Sequence, residues 1–208
     1  MISVSLKHNL NSISKIIDAV GEAGRRAAVQ TVNRTALSMR AEGARIISKR
    51  INLPIGGRSS KGGGGNTPPG IKSMIQIGKA KYRRNINLSD VFATVSASPK
   101  PISLIHFIRG SKDPAQQKGI KIKDRKILKA MVTKGRTVKL AKAFIARSSR
   151  GGATHVFRRK SQGSYHKQVA PSLYHFMSKP EIQNALRGVA LKRMDIEYPR
   201  QLAFYANR

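Results

Sequence analysis

The chain has 208 residues, 41 of them Lys or Arg and only 9 Asp or Glu, for a formal net charge of +32. Charge on that scale repels itself in a compact state and asks for a polyanionic counterpart: nucleic acid first, an acidic protein face second, an anionic membrane surface third. The absence of cysteine excludes disulfides and thiolate metal sites. No run approaches the ~20 apolar residues of a spanning helix, and 6 Phe and 5 Tyr with no Trp argue against base stacking as the main binding device.

Met1-Ile2-Ser3-Val4-Ser5-Leu6-Lys7 lacks the basic-then-apolar order of a signal peptide, and the lack of cysteine fits a protein working in the cytoplasm. From Asn11, an expected N-cap, the sequence is helical to about Arg50. Leu10, Ile13, Ile17 and Val20 recur at helical steps, and Val32, Ala36, Met39, Gly43 and Ile46 resume the stripe. Gly21 and Gly24 each cost roughly 1 kcal/mol against Ala inside a helix, so a kink or break is expected there. Arg25, Arg26, Arg34, Arg40, Arg45 and Lys49 fall mostly off the stripe, on a face that is either simply solvated or turned to a partner.

Pro54 closes the helix, and Gly56 to Gly70 is a low-complexity Gly/Ser/Pro stretch that buries too little to order itself. It is not a phosphate-binding loop, because Lys61 precedes the glycines and two prolines follow them. Strand-like pieces come next: Ile71 to Gly78, Asp90 to Ser98, and the nearly all-apolar Ile102 to Ile108. A basic tract, Lys118 to Lys129, leads to a segment turning at Lys134-Gly135-Arg136. Then Ala143-Phe144-Ile145 and His155-Val156-Phe157 read as a hairpin around a Ser/Gly turn. About six strands are expected in one antiparallel sheet with a face buried against helix. Pro171 and Pro180 open two helical segments, the second with Ile182, Leu186, Val189, Ala190 and Met194 on its apolar face, and Pro199 is expected to restart the helix after a bend near Tyr198.

The expected fold class is therefore α+β: a long N-terminal helix and a C-terminal helix packed on an antiparallel β-sheet, with a flexible Gly-rich loop. Residues 1–208 read as a single domain, with helical parts at 1–53 and 171–208, the loop at 54–70 and the sheet with its basic loops at 71–170. The acids concentrate near the two ends. Between Gly43 and Pro180 only Asp90, Asp113 and Asp124 remain, so the middle carries the excess charge.

Chemistry-bearing patterns are scarce. None of His8, His106, His155, His166 and His175 lies in an HExxH pattern or close in sequence to an acid, so no metal site is expected. Asp90, Asp113 and Asp124 read as turn residues or partners of nearby lysines more simply than as the acids of a metal-dependent nuclease. No Gly-x-Ser-x-Gly elbow and no cysteine nucleophile is present. The sequence reads as non-enzymatic and without a cofactor. Duplex binding through the basic middle should be non-specific, with a salt slope of about −0.9 per phosphate contacted. Composition equally suits a ribosome-associated, RNA-binding basic protein.

Three stretches together resemble the minor tail protein Z family of long-tailed bacteriophages. Ala27 to Ile46 looks like the family's helix carrying Asn-Arg followed by a small residue, here Asn33-Arg34-Thr35. Ala143-Phe144-Ile145, Gly151-Gly152, His155-Val156 and Arg158-Arg159 follow the family's hairpin. The basic terminal helix runs into Pro199-Arg200-Gln201-Leu202, a Pro-x-x-Leu segment. The chain departs from the family pattern at Thr154, where an aromatic commonly precedes the hairpin His, and at the glycine tract Gly62 to Gly65.

The resemblance implies a structural virion protein of the tail and neck, assembled in the host cytoplasm and acting late, where the tail meets the head. It further implies an oligomeric ring, often hexameric. The implied partners are tail-terminator or tail-tube proteins, head-completion or connector proteins and viral double-stranded DNA, with no membrane. On that reading the residues expected to touch DNA or a partner are Arg147, Arg150, Arg158, Arg159 and Lys160 of the hairpin, with Lys121, Lys123, Arg125 and Lys126 of the basic tract. Arg58, Lys61, Gly62, Gly63, Gly64 and Gly65 form an expected assembly loop.

Overall fold

The computed structural model describes residues 10–56, 68–84, 86–87, 90–110, 112–117, 127–148, 152–161 and 164–207. The expected assembly loop from Arg58 to Gly65, the basic-tract residues Lys121, Lys123, Arg125 and Lys126, and Arg150 lie outside the described residues.

The chain is α+β, with an N-terminal helix, a C-terminal helix and antiparallel sheets. It groups into two compact units whose segments interleave along the sequence. The first unit takes Met1–Arg45, Ile75–Ser98 and Phe176–Arg208; the second takes Ile46–Met74 and Pro99–His175.

In the first unit, α1 (Leu10–Arg50) supplies its residues up to Arg45. Its expected kink is at Gly21, whose φ of 64° and ψ of −133° no helix accommodates, while Gly24 stays helical. Side chains over 10–20 are not among those described; in the second half of the stripe Ile46 is only half-buried, while the other positions are closed off as their spacing predicts. Val32, Ala36 and Met39 are all buried. A side chain added at Gly43 would begin 3.6 Å from Leu186 Cδ2 and 3.8 Å from Ile75 Cδ1. The bare backbone of α1 therefore approaches two elements at once. One is the strand β1 (Ile75–Gly78), which pairs antiparallel with β2 (Thr94–Ala97). The other is the terminal helix α3 (Pro180–Ala206), which follows the short helix α2 (Leu173–Met177) and whose Ile182, Leu186, Ala190 and Met194 are buried.

Two polar residues of α1 also work inside this unit. The Asn33 amide donates to the Ala80 carbonyl (3.0 Å) and accepts from the Ala80 N–H (2.8 Å), mimicking a strand partner just beyond β1. Arg34 reaches Glu197 of α3 at 3.2 Å. That helix does not restart at Pro199 as expected. It runs through the proline as one element, with Glu197 and Gln201 buried on either side of it. Proline removes one backbone donor, and the buried contacts flanking it hold the helix together across the gap.

Among the described residues of the second unit, three small antiparallel sheets stand in place of the single one expected. These are β3 (Ile102–Ser103) with β10 (Val169–Ala170); β4 (Ile108–Arg109), β5 (Leu128–Ala130) and β6 (Val138–Leu140); and β7 (Ala143–Arg147), β8 (Thr154–Ser161) and β9 (Ser164–Lys167). The apolar run from Ile102 to Ile108 explains part of the difference. A strand with one face in water would bury alternate residues only, yet Leu104, Ile105 and Phe107 are all buried. The chain meets that demand with a 3-10 turn over Leu104–Phe107, whose three-residue repeat brings Leu104 and Phe107 to one side. A similar turn over Ile71–Met74 replaces the first half of the strand expected from Ile71 to Gly78. The last turn of α1 is tied to the β5–β6 connection, where Lys134 N–H donates to Arg50 O (2.9 Å) and Asn52 N–H to Val132 O (3.0 Å). Gly135, at φ 79°, forms the turn expected there.

Candidate nucleic-acid interface

The hairpin predicted from Ala143 and His155 forms β7 and β8. Their register opposes Phe144 to Phe157, Ile145 to Val156, Ala146 to His155 and Arg147 to Thr154. Gly152, at φ 67°, and a bond from Ser148 N–H to Ala153 O (2.9 Å) close the turn. Successive residues of a strand point to opposite faces. One face carries Ile145, Val156 and Thr154, all buried. Thr154 is thus a polar residue in a closed position.

The opposite face is wetter and carries the rings. Phe144 and Phe157 face each other at 6.0 Å between centroids, and Tyr165 of β9 meets Phe144 edge-on at 5.4 Å. Tyr165 is 51% exposed. The β8–β9 register opposes Phe157 to Lys167 and Arg159 to Tyr165. Arg159 and Lys167 therefore share the ring-bearing face, and the Arg159 guanidinium lies 5.8 Å from the Tyr165 ring centroid.

Alternation separates cations that are neighbours in sequence. Arg158, opposite His166, is on the face away from Arg159. A bulge between Arg159 and Ser161 displaces Lys160 from either regular row. Arg158, Arg159, Lys160, His166 and Gln168 nevertheless line one groove of about 330 Å³, and all three cations are exposed. Arg147 is four residue pairs from Arg158 along the hairpin, about 13 Å away. The structure thus gathers Arg158, Arg159 and Lys160 and leaves Arg147 at the turn end.

Sequence reasoning missed Phe144, Phe157, Tyr165, His166 and Lys167 as site residues. A count of aromatics says nothing about where they collect, and β9 was not read as a strand. The usable signal was period two: Phe157 and Arg159 share a face of any strand through His155. A second basic groove, about 430 Å³ in the first unit, also went unread; Lys79, Lys81 and Arg83 line it together with Asp90.

His155 tests the catalytic alternative. Lys167 Nζ lies 3.2 Å from its Nε2 and Ser103 Oγ 3.1 Å from its Nδ1. An ammonium group only donates, so Nε2 accepts and the ring proton sits on Nδ1, donating to the Ser103 hydroxyl. The serine is an acceptor here, not a nucleophile with a base in reach of its proton. Burial and then Lys167 hold His155 below its usual pKa, which keeps this arrangement neutral at the ring. Asp113 accepts the N–H of Ala115 at 2.9 Å, as a turn residue does, and Asp124 lies outside the described residues. Among the described residues, no three His, Asp or Glu side chains gather into a metal-ligating cluster, and no helix is long and apolar enough to cross a membrane.

His106 gives the second unit an acid limit. Burial, then Lys112 and His155, push its pKa from 6.5 down to about 4, and its buried Nδ1 has no hydrogen-bond partner. The unfolded chain takes up this proton below pH 6.5 while the native state resists to about 4. Stability is therefore complete above the unfolded value and is lost as the pH falls through that window. With the ring partly exposed, the loss is on the order of 1–2 kcal/mol. Urea midpoints should fall between about pH 7.5 and pH 4.5, and His106→Leu should flatten the dependence. An unchanged slope in that variant contradicts the assignment.

No protein-family model, curated protein or solved structure matches this chain.

Proposed function

We propose that this chain is a non-enzymatic structural protein of a bacteriophage virion, placed at the head-proximal end of the tail. There it completes the tail and joins it to the head, as a homo-oligomeric ring of the hexameric kind. Its basic surfaces meet the genome end or the acidic faces of neighbouring rings, built of tail-terminator or tail-tube proteins on one side and head-completion or connector proteins on the other. The head–tail assignment rests on the resemblance of the Asn33-Arg34 helix, the β7–β8 hairpin and the Pro199–Leu202 segment to the minor tail protein Z family.

The observation that carries the polyanion contact is the make-up of the β7–β8–β9 sheet. Arg147, Arg158, Arg159, Lys160 and Lys167 stand exposed on three strands that contain no Asp or Glu. Cations unanswered on their own strands, in a chain of net charge +32, are suited to answering charge on another molecule.

An averaged image of purified virions tests the assignment through position and copy number. The expected result is a closed ring of this chain at the head–tail joint, encircling or touching the DNA path. A ribosome-associated basic protein would instead co-purify with ribosomal RNA and form no ring, and that outcome would overturn the proposal.

A further inference from the structure

We infer that the ring-bearing face of the β7–β8–β9 sheet binds single-stranded nucleic acid, stacking unpaired bases on Tyr165 and Phe157 while Arg159 and Lys167 take the flanking phosphates. This rests on the reading of the sheet as a polyanion surface and commits it to a particular polyanion.

Three features separate this face from an ordinary sheet surface. The first is the concentration of rings: Phe144, Phe157 and Tyr165 occupy three adjacent strands on one side, in mutual contact at 6.0 and 5.4 Å. The second is their exposure. The opposite face buries Val156 completely and Ile145 almost so, yet Tyr165 is 51% exposed and Phe157 only part-covered. A protein that needed the rings for its core had a buried face available on the same strands. The third is charge. Arg159 stands directly opposite Tyr165 and Lys167 directly opposite Phe157, so each ring on β8 or β9 has a cation as its cross-strand neighbour.

Rings and cations in alternation match the two parts of a nucleotide, a flat apolar base and an anionic phosphate. Every base offers a π-face, so such a platform is tolerant of sequence. A duplex would use only the cations, because its bases are already stacked on one another. An acidic peptide would likewise leave the rings idle unless it brought its own apolar groups. The geometry favours unpaired bases because they engage both halves of the surface.

The test uses the full chain and a fluorescently labelled oligothymidylate of about a dozen nucleotides, followed by anisotropy at about 0.1 M salt. Stacking on one ring is lost in Tyr165→Ala, which should weaken oligothymidylate binding roughly 5- to 150-fold and leave a duplex of equal length within about twofold. Tyr165→Phe, which keeps the ring, should bind as the native chain does. Circular dichroism checks that the exposed substitution leaves the fold intact. Unaltered oligothymidylate binding in Tyr165→Ala, or equal losses for single strand and duplex, overturns the inference. So does a loss seen only with polyglutamate, which would assign the face to an acidic protein. If Tyr165→Ala has no effect while reversal of the groove cations still stops head–tail joining, the stacking inference falls and the proposed function stands.

Discussion

Replacing both Arg34 and Arg193 with Ala should lower the melting temperature by on the order of 10 °C. Glu197 is the reason. Its side chain is 2% exposed, and it is met by Arg34 at 3.2 Å and Arg193 at 2.9 Å, two arginines that are themselves about half in water. The asymmetry decides which partner matters. Removing the carboxylate leaves two guanidinium groups that water can solvate, a modest cost. Removing both arginines strands a carboxylate inside, and an uncompensated buried charge costs about 3–5 kcal/mol. That is a large share of the 5–15 kcal/mol that typically holds a domain together. The effect should be strongly non-additive: adding Glu197→Gln to the double variant should recover much of the loss, because the stranded charge is gone. Thermal unfolding of the single, double and triple variants measures this directly. A double variant that melts with the native protein would show that Glu197 does not depend on these partners.

The same ion pair shows how far the sequence could be read. Helical spacing identified the buried stripe of α1, because Val32, Ala36 and Met39 recur with the helix period and are closed off from water. It could not say that Arg34, off the stripe, would reach a carboxylate 163 residues away. Nothing local marks Glu197 as buried, since its burial is created by the packing of α3 in the first unit. Pro199 misled for a related reason. Its local effect is to interrupt a helix, and the long-range contacts of Glu197 and Gln201 outweigh it.

The sheets divide along similar lines. Hairpins with local turns were legible: Gly135 and Gly152 both adopt the positive φ their turns require, and β7 and β8 pair where alternation and the Gly turn predict. Pairings of distant segments were not, such as β3 with β10. A run as apolar as Leu104 to Phe107 carries no period with which to choose between strand and turn. At the candidate site the basic residues were legible and the directions they take were not. Composition marks Arg158, Arg159 and Lys160 as a cluster, whereas strand alternation and a bulge point them in different directions around one groove. The rings that distinguish the face were set aside because they are few, and register with β9 is what makes three of them a surface.

Charge reversal in that groove tests the central claim most directly. Arg158→Glu, Arg159→Glu and Lys160→Glu together change three exposed cations into three anions without touching a buried side chain. If the groove docks on DNA or on an acidic ring, attraction becomes like-charge repulsion at that contact, and such juxtapositions weaken association steeply. Joining of purified heads and tails in vitro, with DNA retention in the joined particles, is the measurement. The predicted result is a fall in joining on the order of 100-fold, with part of the loss reproduced in the native protein by raised salt. Native joining and native DNA retention in the reversed variant would contradict the account.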